Sequence, residues 1–215
     1  MTVDPPLYSP AVRRTGIATA AAVVALLVAY AVTLAVGLLS LASPDDAIGG
    51  ATLALLEGLI LLLAPAMVVL MGAAHAWAPS HAKAFTLLAL VFMGAMATVT
   101  SGVHAVILVV GSDPAFVADP LAPSLTAFRW PSVVYALDVL AWDLFFPLAM
   151  VSAAAAFAGG RLERAVRAAM LASGALAPAD MSVRNVGIVG YVGGFLVVSG
   201  LLGVLFHRTA AHRPG

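Results

Sequence analysis

The sequence predicts an all-α, polytopic membrane helix bundle of six helices, and three observations carry that expectation. Hydrophobic residues make up 63% of the 215-residue chain and charged residues only 9%, where ordinary soluble domains carry about 25% charged residues. The apolar residues fall in runs of about 20 or more, the length that crosses a bilayer core as a helix. The few charges gather between those runs. Because the apolar content persists from end to end, residues 1–215 read as a single integral membrane domain with no soluble module attached.

The first run, about 15–42, is too long for the apolar core of a signal peptide and reads as a retained helix. The runs at about 49–73, 84–111 and 131–158 follow, and a further one spans about 186–206. Pro65 and Pro147 fall inside the second and fourth; each removes a backbone donor and is expected to bend its helix. Gly187, Gly190 and Gly194 share a face of the last helix, the spacing that lets helices pack closely. The stretch 162–178 opens Arg161-Leu-Glu-Arg164-Ala-Val-Arg167 and then turns apolar. It can lie on the surface as a basic amphipathic helix or span with its arginines reaching the interface; the count is six helices in the second case and five in the first.

Charge bias favours six. Arg13, Arg14, Lys83, Arg161, Arg164, Arg167, Arg208 and Arg213 fall on one side if 162–178 spans, while Asp45, Asp46, Asp113 and Asp119 fall on the other, with Arg129 and Arg184 as exceptions. The positive-inside rule then puts both termini in the cytoplasm of a bacterial-type inner membrane. Zero formal net charge and the lack of a basic patch point away from nucleic acid, leaving membrane lipids and a hydrophobic small molecule as expected partners. The absence of cysteine excludes disulfides, thiolate metal sites and thiol nucleophiles. No cofactor or metal is expected: Lys83, the sole lysine, lies at a membrane edge, and no His-Glu-x-x-His spacing occurs.

Acids inside the runs are the chief functional signal. An ionisable group at the bilayer centre costs about 2.5–3.5 kcal/mol on insertion scales, and such groups are usually functional. At a rise of about 1.5 Å per residue, Glu57 is roughly 12 Å below the outer surface, His104 and Asp138 roughly 10 Å, and Asp143 roughly 18 Å. Thr98, Thr100 and Ser101 precede His104, and Tyr191 enters at a similar level from the last helix. Tyr135, Asp138 and Trp142 share one face at helical spacing, whereas Asp143 is turned about 140° from Asp138. Glu57 and Asp138 form the preferred acid pair. Two carboxylates at close range resist ionising together, so one is expected to be a proton-donating acid, its orientation or protonation set by His104. The candidate catalytic residues are therefore Glu57, Asp138, Asp143 and His104; the candidate substrate-binding residues are Tyr135, Trp142, Tyr191, Thr100 and Ser101.

With Glu57 in an early helix and Asp138 or Asp143, with Trp142, in a later one, the chain resembles the small integral-membrane terpene cyclases in architecture and intramembrane acids. That resemblance implies proton-initiated cyclisation or isomerisation of an isoprenoid-like lipid, with an acidic pair protonating an alkene or epoxide. A proton-coupled small-molecule transporter or binding protein uses the same groups as a relay, and a non-catalytic scaffold uses them as interhelical ties. A closed pocket, a water path to both faces, or no cavity at all distinguishes the three.

Overall fold

The computed structural model describes residues 8–43, 46–178 and 186–209. Asp45, Arg184 and Arg213, which entered the charge reading, lie outside the described residues. Five helices are long and apolar enough to cross a membrane: Pro10–Leu39, Gly50–Trp77, Ser80–Val109, Val133–Ala154 and Val189–Thr209. Together with a shorter helix between the last two they form an all-helical bundle.

Helix α1 (Pro10–Leu39) begins earlier than expected because Ser9 caps it, its Oγ accepting from Val12 N at 3.3 Å, and Pro10 occupies the first turn. Helix α2 (Gly50–Trp77) runs through Pro65 as one helix. Lys83 Nζ closes its far end by donating to the His75 and Ala76 carbonyls at 2.5 and 3.0 Å, two of the acceptors a helix C-terminus leaves over. Helix α3 (Lys83–Val109) returns, and two short helices, α4 (Pro114–Val117) and α5 (Ala122–Thr126), cross the following loop.

The fourth span is not one regular helix. Helix α6 (Val133–Val139) widens into a π turn over Leu140–Phe145 before α7 (Phe146–Ala154). Pro147 explains the widening: it has no N–H for the carbonyl one turn back, and its ring crowds that carbonyl. A second π turn, Val189–Gly194, follows α9 (Val186–Ile188) and leads into α10 (Phe195–Thr209).

Between them, α8 (Arg161–Leu176) is 16 residues long, about 24 Å. It does not meet the length and apolarity of a span, yet it runs across the bundle rather than along its surface. It starts just after Phe157, which stacks on Trp77 at 5.2 Å, and it ends beside Gly190, whose carbonyl accepts from Ser173 Oγ at 2.7 Å. Its buried stripe is Val166, Met170, Ser173, Gly174 and Ala177. The glycine face of the last helix is the matching surface: a Cβ on Gly190 would come within 2.7 Å of Ala177 N, and one on Gly194 within 2.8 Å of Ser173 Cβ. The helices therefore alternate in direction six times. Both described ends of the chain lie at the same end of the bundle: Tyr8 packs on Phe206 at 6.0 Å, and Trp77 Nε1 donates to Thr209 Oγ1 at 3.1 Å.

Candidate functional site

At the opposite end, α1, α2, α3, α6 and the two π turns enclose a cavity of about 320 Å³, at the lower end of ordinary ligand pockets. Its wall is mostly apolar. Leu27, Tyr30 and Leu34 line it from α1, and Leu56, Ile60 and Leu63 from α2. Trp142 and Tyr191, one from each π turn, pack against each other in its wall with centroids 5.1 Å apart. Phe128, from the loop after α5, covers it, its ring 6.1 Å from His104 and edge-on to Tyr135 at 5.6 Å.

Three titratable side chains meet in this apolar setting. His104 Nδ1 pairs with Glu57 Oε2 at 2.5 Å, and its Nε2 lies 3.6 Å from Asp138 Oδ1. The first is a short hydrogen bond; the second is within ion-pair range but too long for a hydrogen bond. Glu57 and His104 are buried, with 5% and 6% of their surfaces exposed, and Asp138 is nearly so. The two carboxylates therefore meet through the imidazole rather than against each other, which sharpens the expected acid pair into a relay, Glu57–His104–Asp138. Both ring nitrogens carry protons only in the imidazolium, so with an acceptor on each side the ring can take a proton from one carboxylic acid and deliver one to the other. Asp138 Oδ1 is buried and accepts no hydrogen bond; the polar group it faces is the His104 ring at 3.6 Å. The ring nitrogens point away from one another into separate carboxylates, and among the described residues no group of three His, Asp or Glu is arranged to hold a metal ion.

The structure brings together five of the sequence-selected residues: Glu57, His104, Asp138, Trp142 and Tyr191 all line the cavity. It leaves four outside the lining. Asp143 is half-buried and lies outside the cavity lining. Tyr135 shares a face with Trp142 only if the helix is regular; the π turn starting at Leu140 breaks that register, and Tyr135 packs on Phe128 instead. Thr100 is fully buried on α3, one turn from His104, but does not reach the cavity, and Ser101 is half-buried outside it. Thr98 faces an outer groove and donates to Gly94 O at 2.8 Å. His75, near the far end of α2, pairs with Thr86 Oγ1 at 2.8 Å.

Sequence reasoning missed Tyr30 and Phe128. Tyr30 had a signal: it is nine residues from the end of α1, the same depth arithmetic that located Glu57. Phe128 had none beyond membership of the long loop.

Toward the other end the cavity has a dry floor. Leu63 lines it, and the turns beyond carry fully buried Met67, Met71, Met93, Met96 and Met150 with Phe146 and Phe195. Fold and site thus define a class: a polytopic helical membrane protein with a one-ended apolar cavity and a carboxylate–imidazole–carboxylate relay in its wall. No protein-family model, curated protein or solved structure matches the chain.

Proposed function

We propose that the protein is a membrane-embedded acid–base enzyme that isomerises or cyclises an isoprenoid-like lipidic substrate. The observation that carries this reading is His104 held between Glu57 and Asp138 in the wall of an otherwise apolar cavity. Asp138 is the proton donor. Its acid proton passes to an alkene carbon, leaving a carbocation in the substrate and a carboxylate on Asp138. After rearrangement the cation loses a proton from carbon to the relay, so substrate and product are isomers and the relay is restored. The rings of Tyr30, Trp142 and Tyr191 surround the space the cation occupies, each ring capable of about 0.5–2 kcal/mol of stabilisation. The apolar wall keeps out the water that would quench the cation. A proton-coupled carrier would need a polar path to the far face, where the methionine floor lies instead.

The test is deuterium incorporation. Purified protein in neutral nanodiscs, given a panel of isoprenoid alkenes in D2O, is expected to yield an isomer carrying one carbon-bound deuterium. Asp138→Asn and Glu57→Gln are expected to lower that rate by at least 100-fold while eluting as native protein. No deuterated isomer from the unmodified protein across the panel, or equal rates in both variants, would overturn the proposal.

A further inference from the structure

The cavity wall has a charge character that proton transfer alone does not require. Among the described residues its acidic and basic lining is Asp46, Glu57, His104 and Asp138, with no lysine or arginine; Arg129, next to Phe128 in the chain, is outside it. The one group in that described lining able to carry positive charge, His104, is flanked by two carboxylates. Asp46 stands at the mouth, exposed, where an approaching ligand meets it first. Asp138 Oδ1 is a buried acceptor whose only close polar neighbour among the described residues is His104 Nε2 at 3.6 Å, too far for a hydrogen bond, so its hydrogen-bonding capacity is left for a ligand or water that a small side-chain shift admits. Tyr30, Phe128, Trp142 and Tyr191 supply aromatic rings around the same space. Carboxylates and aromatic rings in an apolar enclosure favour a weakly hydrated organic cation and repel an anion.

We infer that the cavity binds lipophilic cations, organic ammonium ions with an apolar tail, the positive head lying by Asp138 and Glu57 among the rings of Trp142 and Tyr191. The head is small enough for the enclosed volume, and the tail follows the leucine and isoleucine side chains of α1 and α2. The inference uses the cavity of the proposed function but not the proton transfer: an ammonium ion mimics the charge of the carbocation and also stands as a ligand in its own right.

Equilibrium dialysis of labelled octyltrimethylammonium against protein in phosphatidylcholine nanodiscs, with empty nanodiscs subtracted, tests it. Saturable binding at one site per chain is expected, at least tenfold tighter than octanoate and than 2,2-dimethyldecane, the neutral isostere. Asp138→Asn is expected to weaken binding at least tenfold, and Trp142→Leu two- to fivefold. Equal affinity for cation, anion and neutral isostere in the unmodified protein would overturn the inference without recourse to any variant. So would tight cation binding that Asp138→Asn and Glu57→Gln both leave unchanged. Cation binding without deuterium incorporation would keep this inference and discard the enzyme; incorporation without cation preference would do the reverse.

Discussion

Replacing the three relay residues by leucine, singly and together, separates a site from a structural tie. His104→Leu removes the only hydrogen-bond partner of Glu57 among the described residues. A buried ion pair broken on one side costs about 3–5 kcal/mol when the survivor stays charged. If Glu57 takes up a proton instead, an unsatisfied buried acid still costs about 1–3 kcal/mol. A loss of about 3 kcal/mol is therefore expected for His104→Leu. Glu57→Leu leaves His104 beside Asp138 at 3.6 Å and should cost less, about 1–2 kcal/mol. The triple variant leaves no polar group behind, and leucines suit a wall already built from Leu27, Leu56, Ile60 and Leu63; buried ion networks replaced wholesale by apolar side chains are often neutral or stabilising by about 1–4 kcal/mol. The triple variant should thus be at least as stable as the native chain while losing deuterium incorporation entirely. Unfolding free energies from SDS titration in mixed micelles, followed by the far-UV helical signal, give the comparison. A triple variant destabilised by the sum of the singles, or a neutral His104→Leu, would show that the relay is not the isolated polar island described above.

Two predictions address the fold. Because the chain has no cysteine, single cysteines at Ser9 and Arg208 should react with an impermeant maleimide from the same side of sealed vesicles, and cysteines at Asp46 and Asp113 from the other; Ser9 and Arg208 reacting from opposite sides would refute the six-fold alternation. Gly190→Val should disrupt the α8 contact, where even a Cβ meets Ala177 N at 2.7 Å, and lower stability by about 2 kcal/mol or more. Gly102→Ala, with nothing within 4 Å of the added carbon, should be silent in the same SDS titration.

The five long spans were legible in the sequence because length and apolarity suffice to mark a bilayer crossing, and no tertiary information enters. The course of 161–176 was not, because its first turn is too polar for the hydropathy rule. The α8 crossing depends on contacts far away in sequence, Gly190 and Gly194 against the stripe ending at Ala177. At the site, depth arithmetic placed Glu57, His104 and Asp138 at one level, and all three meet there. Direction around the helix was less legible: Tyr135 and Trp142 share a face only in a regular helix, and a π turn leaves no mark in a short sequence window beyond the later Pro147. Thr100 and Ser101 show the other limit, since proximity to His104 along α3 does not decide which side chains reach a cavity.

The placement of the two π turns bears on whether the cavity is a site or a packing flaw. A wide turn spoils regular backbone pairing, and in hydrocarbon such a fault is tolerated only where protein or a cavity shields it. Both wide turns described here fall at the cavity, and each contributes an aromatic side chain to it, Trp142 from one and Tyr191 from the other. Towards the far end, α7 and α10 are regular and packed around fully buried methionines and phenylalanines. A loosely packed bundle would scatter its irregularities; here they coincide with the three ionisable groups that cost most to bury. Two independent expenses, backbone irregularity and intramembrane charge, meet at one depth on four helices. Glue between helices needs only the second of them, and a pocket that takes a ligand accounts for both.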